Sequence, residues 1–170
     1  MNRGRRRIVL VIGGLLALGA DERPAQADPQ GRVEVRFVAP ERYTDADDRY
    51  GSGPGLRGTL AEIRRILEIS ALRVMAPGDR LTVEVLDIDR AGFVTPGLSS
   101  PSGLRIVNDV TPPALRLRYD LRRAGRSIAS GEERVTDINF LLGARAARTG
   151  GFAYEETLLR DWARRRLSVP

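Results

Sequence analysis

Asp87 and Asp89 stand two residues apart at the end of the run Leu81-Thr82-Val83-Glu84-Val85-Leu86-Asp87-Ile88-Asp89. Residues two apart on a strand share a face, so both carboxylates are expected beside Val83 and Val85, projecting where the strand runs out. Paired carboxylates can serve as acid and base in glycoside cleavage. Such clefts are lined with aromatic sugar platforms, and this chain has only four Phe, four Tyr and one Trp, several of which a core needs. The plainer reading is that the two aspartates cap a loop or pair with nearby arginines. Asp137 and Asn139 precede an apolar stretch, where short polar side chains accept backbone N–H bonds at a helix start. Arg116 and Arg118 alternate with Leu115, Leu117 and Tyr119, which makes them a basic row on one strand face.

Other chemistries fail on residue type. The chain has no cysteine, histidine or lysine, which excludes thiolate nucleophiles, disulfides, imidazole catalysis and Cys/His metal sites. Asp45-Ala46-Asp47-Asp48 suggests calcium, yet an EF-hand loop starting at Asp45 requires Gly sixth and Glu twelfth and finds Tyr50 and Leu56. Gly51-Ser52-Gly53-Pro54-Gly55 lacks the lysine of a phosphate-cradling loop, and no dinucleotide or triad motif occurs. No cofactor and no metal are expected.

The elements that must carry these residues follow from periodicity. Val33, Val35 and Phe37 alternate with polar residues, a half-buried strand that Pro40 ends. Glu41 to Gly58 reads as a long loop. Thr59 to Val74 is predicted helical, with Leu60, Ile63, Leu67 and Val74 on one stripe, widened by Ile66 and Ala71. Thr59 and Glu62 suit a capping box. After Pro77-Gly78-Asp79, Leu81 to Ile88 is a second strand, with Leu81, Val83 and Val85 on one face and Thr82, Glu84, Leu86 and Ile88 on the other. A strand, a helix and a strand in succession favour parallel pairing. Ala91 to Gly103 is a Gly/Pro/Ser-rich loop, and Arg105 to Val110 a candidate short strand.

Leu115 to Thr136 is a hairpin turning at Ala124-Gly125, with Gly125 expected at φ > 0. A two-residue turn pairs residues whose numbers sum to about 249. Leu121 then faces Ile128 and Arg116 faces Glu133, while Glu132 points inward opposite Leu117 unless a bulge intervenes. Asp137 to Ala147 is expected as a short helix capped by Asp137, with a hinge at Gly150-Gly151. Glu155 to Leu167 closes the chain as a helix with Leu158, Leu159, Trp162, Ala163 and Leu167 on one side. The order β-α-β-β-hairpin-α implies an α+β two-layer sandwich, a mixed sheet of four or five strands with helices on one face.

Residues 1–27 read as an export signal. Arg3, Arg5, Arg6 and Arg7 precede the uncharged stretch from Ile8 to Ala20, and Ala25-Gln26-Ala27 supplies a small-x-small cleavage site. The uncharged stretch holds 13 residues, or roughly 20 Å as a helix against a hydrocarbon core of ~30 Å, too short to span. Arg6-Arg7 also permits a twin-arginine route. Residues 1–27 hold five arginines and two acids of the chain's 28 basic and 22 acidic groups. The remaining 28–170, read as one domain, therefore carry 23 and 20, a net +3. That balance is not a nucleic-acid footprint.

The segments Phe37 to Asp45, Val85 to Gly92, Gly131-Glu132-Glu133, Asp137 to Phe140 and Leu158 to Trp162 together resemble the exported bacterial domain of unknown function family 3016. The likeness runs from Val33 to Leu167. It implies export and a single domain, and it brings no activity with it. The residues themselves favour a periplasmic or secreted, non-enzymatic binding or accessory module of the cell envelope. Its partner would be an envelope protein or an anionic polymer, met through Asp87, Asp89, Arg116, Arg118, Asp137 or Asn139. The alternative is a carboxylate-dependent hydrolase acting on an envelope polymer.

Overall fold

The computed structural model describes residues 32–47, 55–95, 104–142 and 151–170. The signal expected over residues 1–27 lies outside them. The chain folds as an α+β sandwich whose main sheet has the strand order β1-β2-β5-β6. β1 (Val33–Phe37) runs parallel to β2 (Arg80–Asp89), joined through helix α1 (Leu56–Leu72). β2 pairs antiparallel with β5 (Ala114–Arg123), and β5 with β6 (Arg126–Thr136). The short strands β3 (Phe93–Thr95) and β4 (Leu104–Ile106) pair only with each other. The extra strand expected over Arg105 to Val110 is thus shorter, and it stands apart from the main sheet. Helix α2 (Ala153–Leu167) ends the chain.

Both helices lie on one face, where the core forms. Val33, Val35, Leu81, Val83, Val85, Leu115, Leu117 and Leu121 from the sheet are buried with Ile63, Ile66, Leu67 and Ala71 of α1 and Leu158, Leu159, Trp162 and Leu167 of α2. Trp162 is 1% exposed and meets Tyr119 edge-on, ring centroids 5.5 Å apart. Its indole Nε1–H donates to Glu133 at 2.9 Å. The apolar stripe of α2 is the one its spacing predicts. Helix α1 starts earlier than expected, at Leu56. Thr59 is buried inside it rather than capping it, and Glu62 pairs with Arg65 at 2.6 Å instead of closing a capping box. The cap comes from outside the helix: Asp47 Oδ1 accepts the Leu56 N–H at 3.2 Å.

Two register shifts depart from simple alternation. The first lies between Val85 and Asp87 in β2. Leu86 is the extra residue, so every side chain beyond it changes face. Ile88, expected on the face opposite Val85, is fully buried under the helices. Asp87 and Asp89 leave the Val83 face for the uncovered one.

The second shift lies between Leu121 and Arg122. Arg123 and Arg122 face Arg126 and Ser127 as a two-residue turn requires, but Ile128 is skipped and Leu121 faces Ala129. Arg116 therefore opposes Arg134, not Glu133, and Glu132 turns outward opposite Arg118. The inward acid becomes Glu133, which the Trp162 indole and Arg166 satisfy. Ala124 and Gly125 both take positive φ, 48° and 80°, the pair of left-handed residues a type I′ hairpin turn needs.

The helix expected from Asp137 is absent over 137–142, which form successive turns. Asp137 Oδ1 accepts the Asn139 N–H at 2.9 Å, an Asx turn that competes with helix entry. Residues 143–150, with Gly150 of the expected hinge, lie outside the described residues.

Candidate functional site

The uncovered sheet face carries two consecutive charged rows over β2, β5 and β6. In the first, Arg118 sits between Glu84 and Glu132 and binds both, at 2.7 and 2.8 Å. In the second, Arg116 sits between Asp87 and Arg134. Directly opposed side chains have Cβ atoms about 4.5–5.5 Å apart, and like charges so placed repel.

Asp87 does not neutralise Arg116, because its oxygens are already engaged. Oδ1 accepts the N–H groups of Thr44 and Ile88 at 2.8 and 2.9 Å, and Oδ2 accepts the Thr44 hydroxyl at 2.8 Å. This is the loop-capping role expected of it. Above the row stands the segment 38–44, where Ala39 turns at φ 49° into a 3-10 turn over Pro40–Arg42. The Tyr43 hydroxyl fixes that segment, donating to the Val85 carbonyl at 2.6 Å and accepting the Val38 N–H at 3.0 Å. Burial, reinforced by the nearby Asp87 and Glu41 charges against the Val38 bond, pushes the Tyr43 phenol up to about 12. The hydroxyl therefore stays protonated, as its donor role requires.

Sheet and segment enclose a cleft of about 580 Å³ lined by Arg42, Thr44, Asp87, Asp89, Arg116 and Arg134, with Val38, Ala39, Leu86, Ala114 and Leu115 between them. Among the described residues, the guanidinium groups of Arg42, Arg116 and Arg134 close no hydrogen bond or ion pair. Asp89 is also without a hydrogen bond to its side chain among them. Burial first, then the neighbouring Asp45 and Asp87 charges, push its carboxyl above the ordinary carboxylate range, against the pull of Arg134 and Arg105.

Behind Asp89 lies a buried charged frame. Asp45 pairs with Asp89 as a backbone bridge and holds Arg105 through both its oxygens, at 2.7 and 3.1 Å. Glu155, 1% exposed, accepts the Ala91 N–H at 2.9 Å and anchors α2 to the end of β2. Its burial holds its carboxyl above the usual range. Arg90 caps the Phe152 ring at 4.3 Å and donates to the Gly151 carbonyl. Among the described residues no group of three or more acids is arranged to hold a metal ion. Asp45 and Asp47 of the acidic loop are spent on Arg105 and the α1 cap.

Of the residues singled out in the sequence, Asp87, Asp89 and Arg116 meet in the cleft. Arg118 stands in the adjacent, self-neutralised row. Asp137 and Asn139 shape the turn after β6 and do not line the cleft. Sequence reasoning missed Arg134, Arg42 and Thr44. Arg134 was reachable only through the hairpin bulge, and the signal for Arg42 and Thr44 was their place in the family-like segment Phe37 to Asp45.

The exposed large apolar residues described are Val38 after β1, Phe93 in β3, Val110 before β5, Ile138, Leu141 and Leu142 after β6, and Ile69 of α1. Among the described residues no helix is long and apolar enough to cross a membrane.

The chain belongs to the family described as "Protein of unknown function (DUF3016)", whose family model matches residues 31–165. No curated protein and no solved structure matches the chain.

Proposed function

We propose that this member of the family is an exported binding module of the cell envelope that grips an anionic group of its partner in the cleft between Arg42, Arg116 and Arg134. One observation carries the reading. The Asp87–Arg116–Arg134 row holds two opposed guanidinium groups and one carboxylate already bound elsewhere, so an external anion completes it as Glu132 completes the row beside it. Charge-assisted bonds from arginine to an oxyanion are among the stronger polar contacts a surface can offer. Val38, exposed on the cleft wall, supplies apolar contact beside the arginines. Export rests on the ordered basic, apolar and small-residue regions of residues 1–27.

Two measurements test this. The intact mass of the protein recovered from the periplasm should lack residues 1–27 or close to that, and finding Met1 attached removes the export claim. NMR titration with acetate, sulfate and phosphate should shift the side-chain signals of Arg116, Arg134 and Arg42 and leave Arg118 still. Silence from all three anions removes the binding claim.

A second reading, carboxylate-dependent cleavage of an envelope polymer, draws support from the β2 bulge, which brings Asp87 and Asp89 into one cleft. Asp89, with its raised carboxyl, would be the acid. Asp87 suits a nucleophile or base poorly, because both oxygens are committed to Thr44 and Ile88. Turnover of a purified envelope polymer that Asp89→Asn abolishes would promote this reading.

A further inference from the structure

We propose that the ligand of the cleft is a phosphorylated polyol, its phosphate ester held by the three arginines and a neighbouring hydroxyl donated to Asp89. The inference rests on the anion-binding reading above and adds the ligand class. Arg116 and Arg134 rise from the sheet floor, whereas Arg42 comes from the 3-10 turn that forms the wall. A planar carboxylate presents two oxygens in one plane, which a single guanidinium fork can saturate. A phosphate monoester presents three acceptor oxygens in three directions and a charge of about −1.5 to −2 at pH 7, which suits three donors arriving from two sides.

The carboxylates select the rest of the ligand. A purely anionic ligand would meet Asp87 and Asp89 with nothing to offer them. Asp87 is satisfied by the protein, but Asp89 keeps its acceptor oxygens for a donor from outside. A hydroxyl donates without adding charge. An ammonium group would also donate, but it would stand among three guanidinium cations. The cleft of about 580 Å³ falls within the roughly 300–1,000 Å³ of small-ligand sites.

Calorimetric titration of the purified protein with acetate, inorganic phosphate, glycerol 3-phosphate and phosphoethanolamine tests the assignment. Phosphate should bind about tenfold or more tighter than acetate, and glycerol 3-phosphate about tenfold tighter again, the scale of one hydrogen bond to a charged group. Asp89→Ala, which leaves no acceptor, should erase the second margin and keep the first. Asp89→Asn keeps a neutral acceptor oxygen and should narrow the margin, and retained phosphate binding shows that either variant is folded. Three results would each overturn the ligand class while leaving anion binding in place. They are acetate equal to phosphate, phosphoethanolamine tighter than glycerol 3-phosphate, and a glycerol margin untouched in both Asp89 variants. No heat from any anion overturns the reading beneath it as well.

Discussion

Two neighbouring rows of the exposed face cross the same three strands and are built from the same residue types. In the Glu84–Arg118–Glu132 row the central arginine finds a carboxylate on each side. In the Asp87–Arg116–Arg134 row it finds a carboxylate already bound and a second arginine. Composition does not separate the rows, since both have an acid on β2 and an arginine on β5. They differ in what the surrounding chain has done with the acid, and in which residue the β6 register delivers. Thr44 and the Ile88 N–H consume the oxygens of Asp87, and the skipped Ile128 sets Arg134, not Glu133, against Arg116. A row that neutralises itself offers a ligand little. A row left one anion short is where recognition can be built.

The severest test of this contrast addresses the shift that creates it. The extra Leu86 turns Ile88 toward the helices, so Ile88→Asp buries a carboxylate without a partner. The expected loss is on the order of 5 kcal/mol, comparable with the whole stability of a small domain. Urea denaturation should show no cooperative transition, and a variant as stable as the parent would show that the shift does not set the face. Next in size is Trp162→Ala, which empties the core beneath Tyr119 and takes one donor from Glu133, the acid that faces inward. Chemical denaturation should register about 3–5 kcal/mol. A loss under about 1 kcal/mol would make Trp162 a surface feature.

Exchanging the rows sharpens the contrast directly. Arg134→Glu gives Arg116 the flanking acid that Arg118 enjoys, and should stabilise the protein by about 0.2–1 kcal/mol while abolishing the response to phosphate. Glu132→Arg should lower the melting temperature slightly but open no anion site at Arg118, because Glu84 stays on that guanidinium. Unchanged phosphate binding in Arg134→Glu would separate the cleft from its row.

The smallest effect concerns pH. The folded protein holds the Asp89 proton more tightly than the unfolded chain does, so ionisation of Asp89 opposes folding as pH rises from the ordinary carboxylate pKa, about 3.9, through the raised value. Asp89→Asn should therefore stabilise the protein at pH 7 and give no gain at pH 3. Denaturation midpoints at the two pH values check the sign.

Much of the fold was legible because periodicity records burial. Period-two runs located β1, β2 and the hairpin, and the α2 stripe from Leu158 to Leu167 located its buried face and its tryptophan. Short polar residues were harder. Thr59 and Asp137 have the chemistry of caps, but the α1 cap arrived from Asp47 across a loop, and Asp137 closed a turn of its own. The site was the least legible part. The hairpin's inward glutamate signalled a bulge there. The β2 bulge had a fainter trace, in the adjacent Val85 and Leu86 and the lone Ile88 between two aspartates. Each bulge changes the meaning of every residue beyond it, so Asp87 and Asp89 were rightly paired and assigned to the wrong face. Arg42 depends on a backbone path that no periodicity encodes.

The segment that engages Asp87 also decides whether the recognition surface could be moved to another protein. Grafting Asp87, Asp89, Arg116 and Arg134 onto a regular antiparallel sheet would put them on one face but leave the Asp87 oxygens free to neutralise Arg116, because Thr44 would be missing. The transferable unit is the strand end together with Tyr43, whose hydroxyl holds the Val85 carbonyl, and Thr44, which engages Asp87. Such a graft would have to carry the backbone path of that segment as well as a set of side chains.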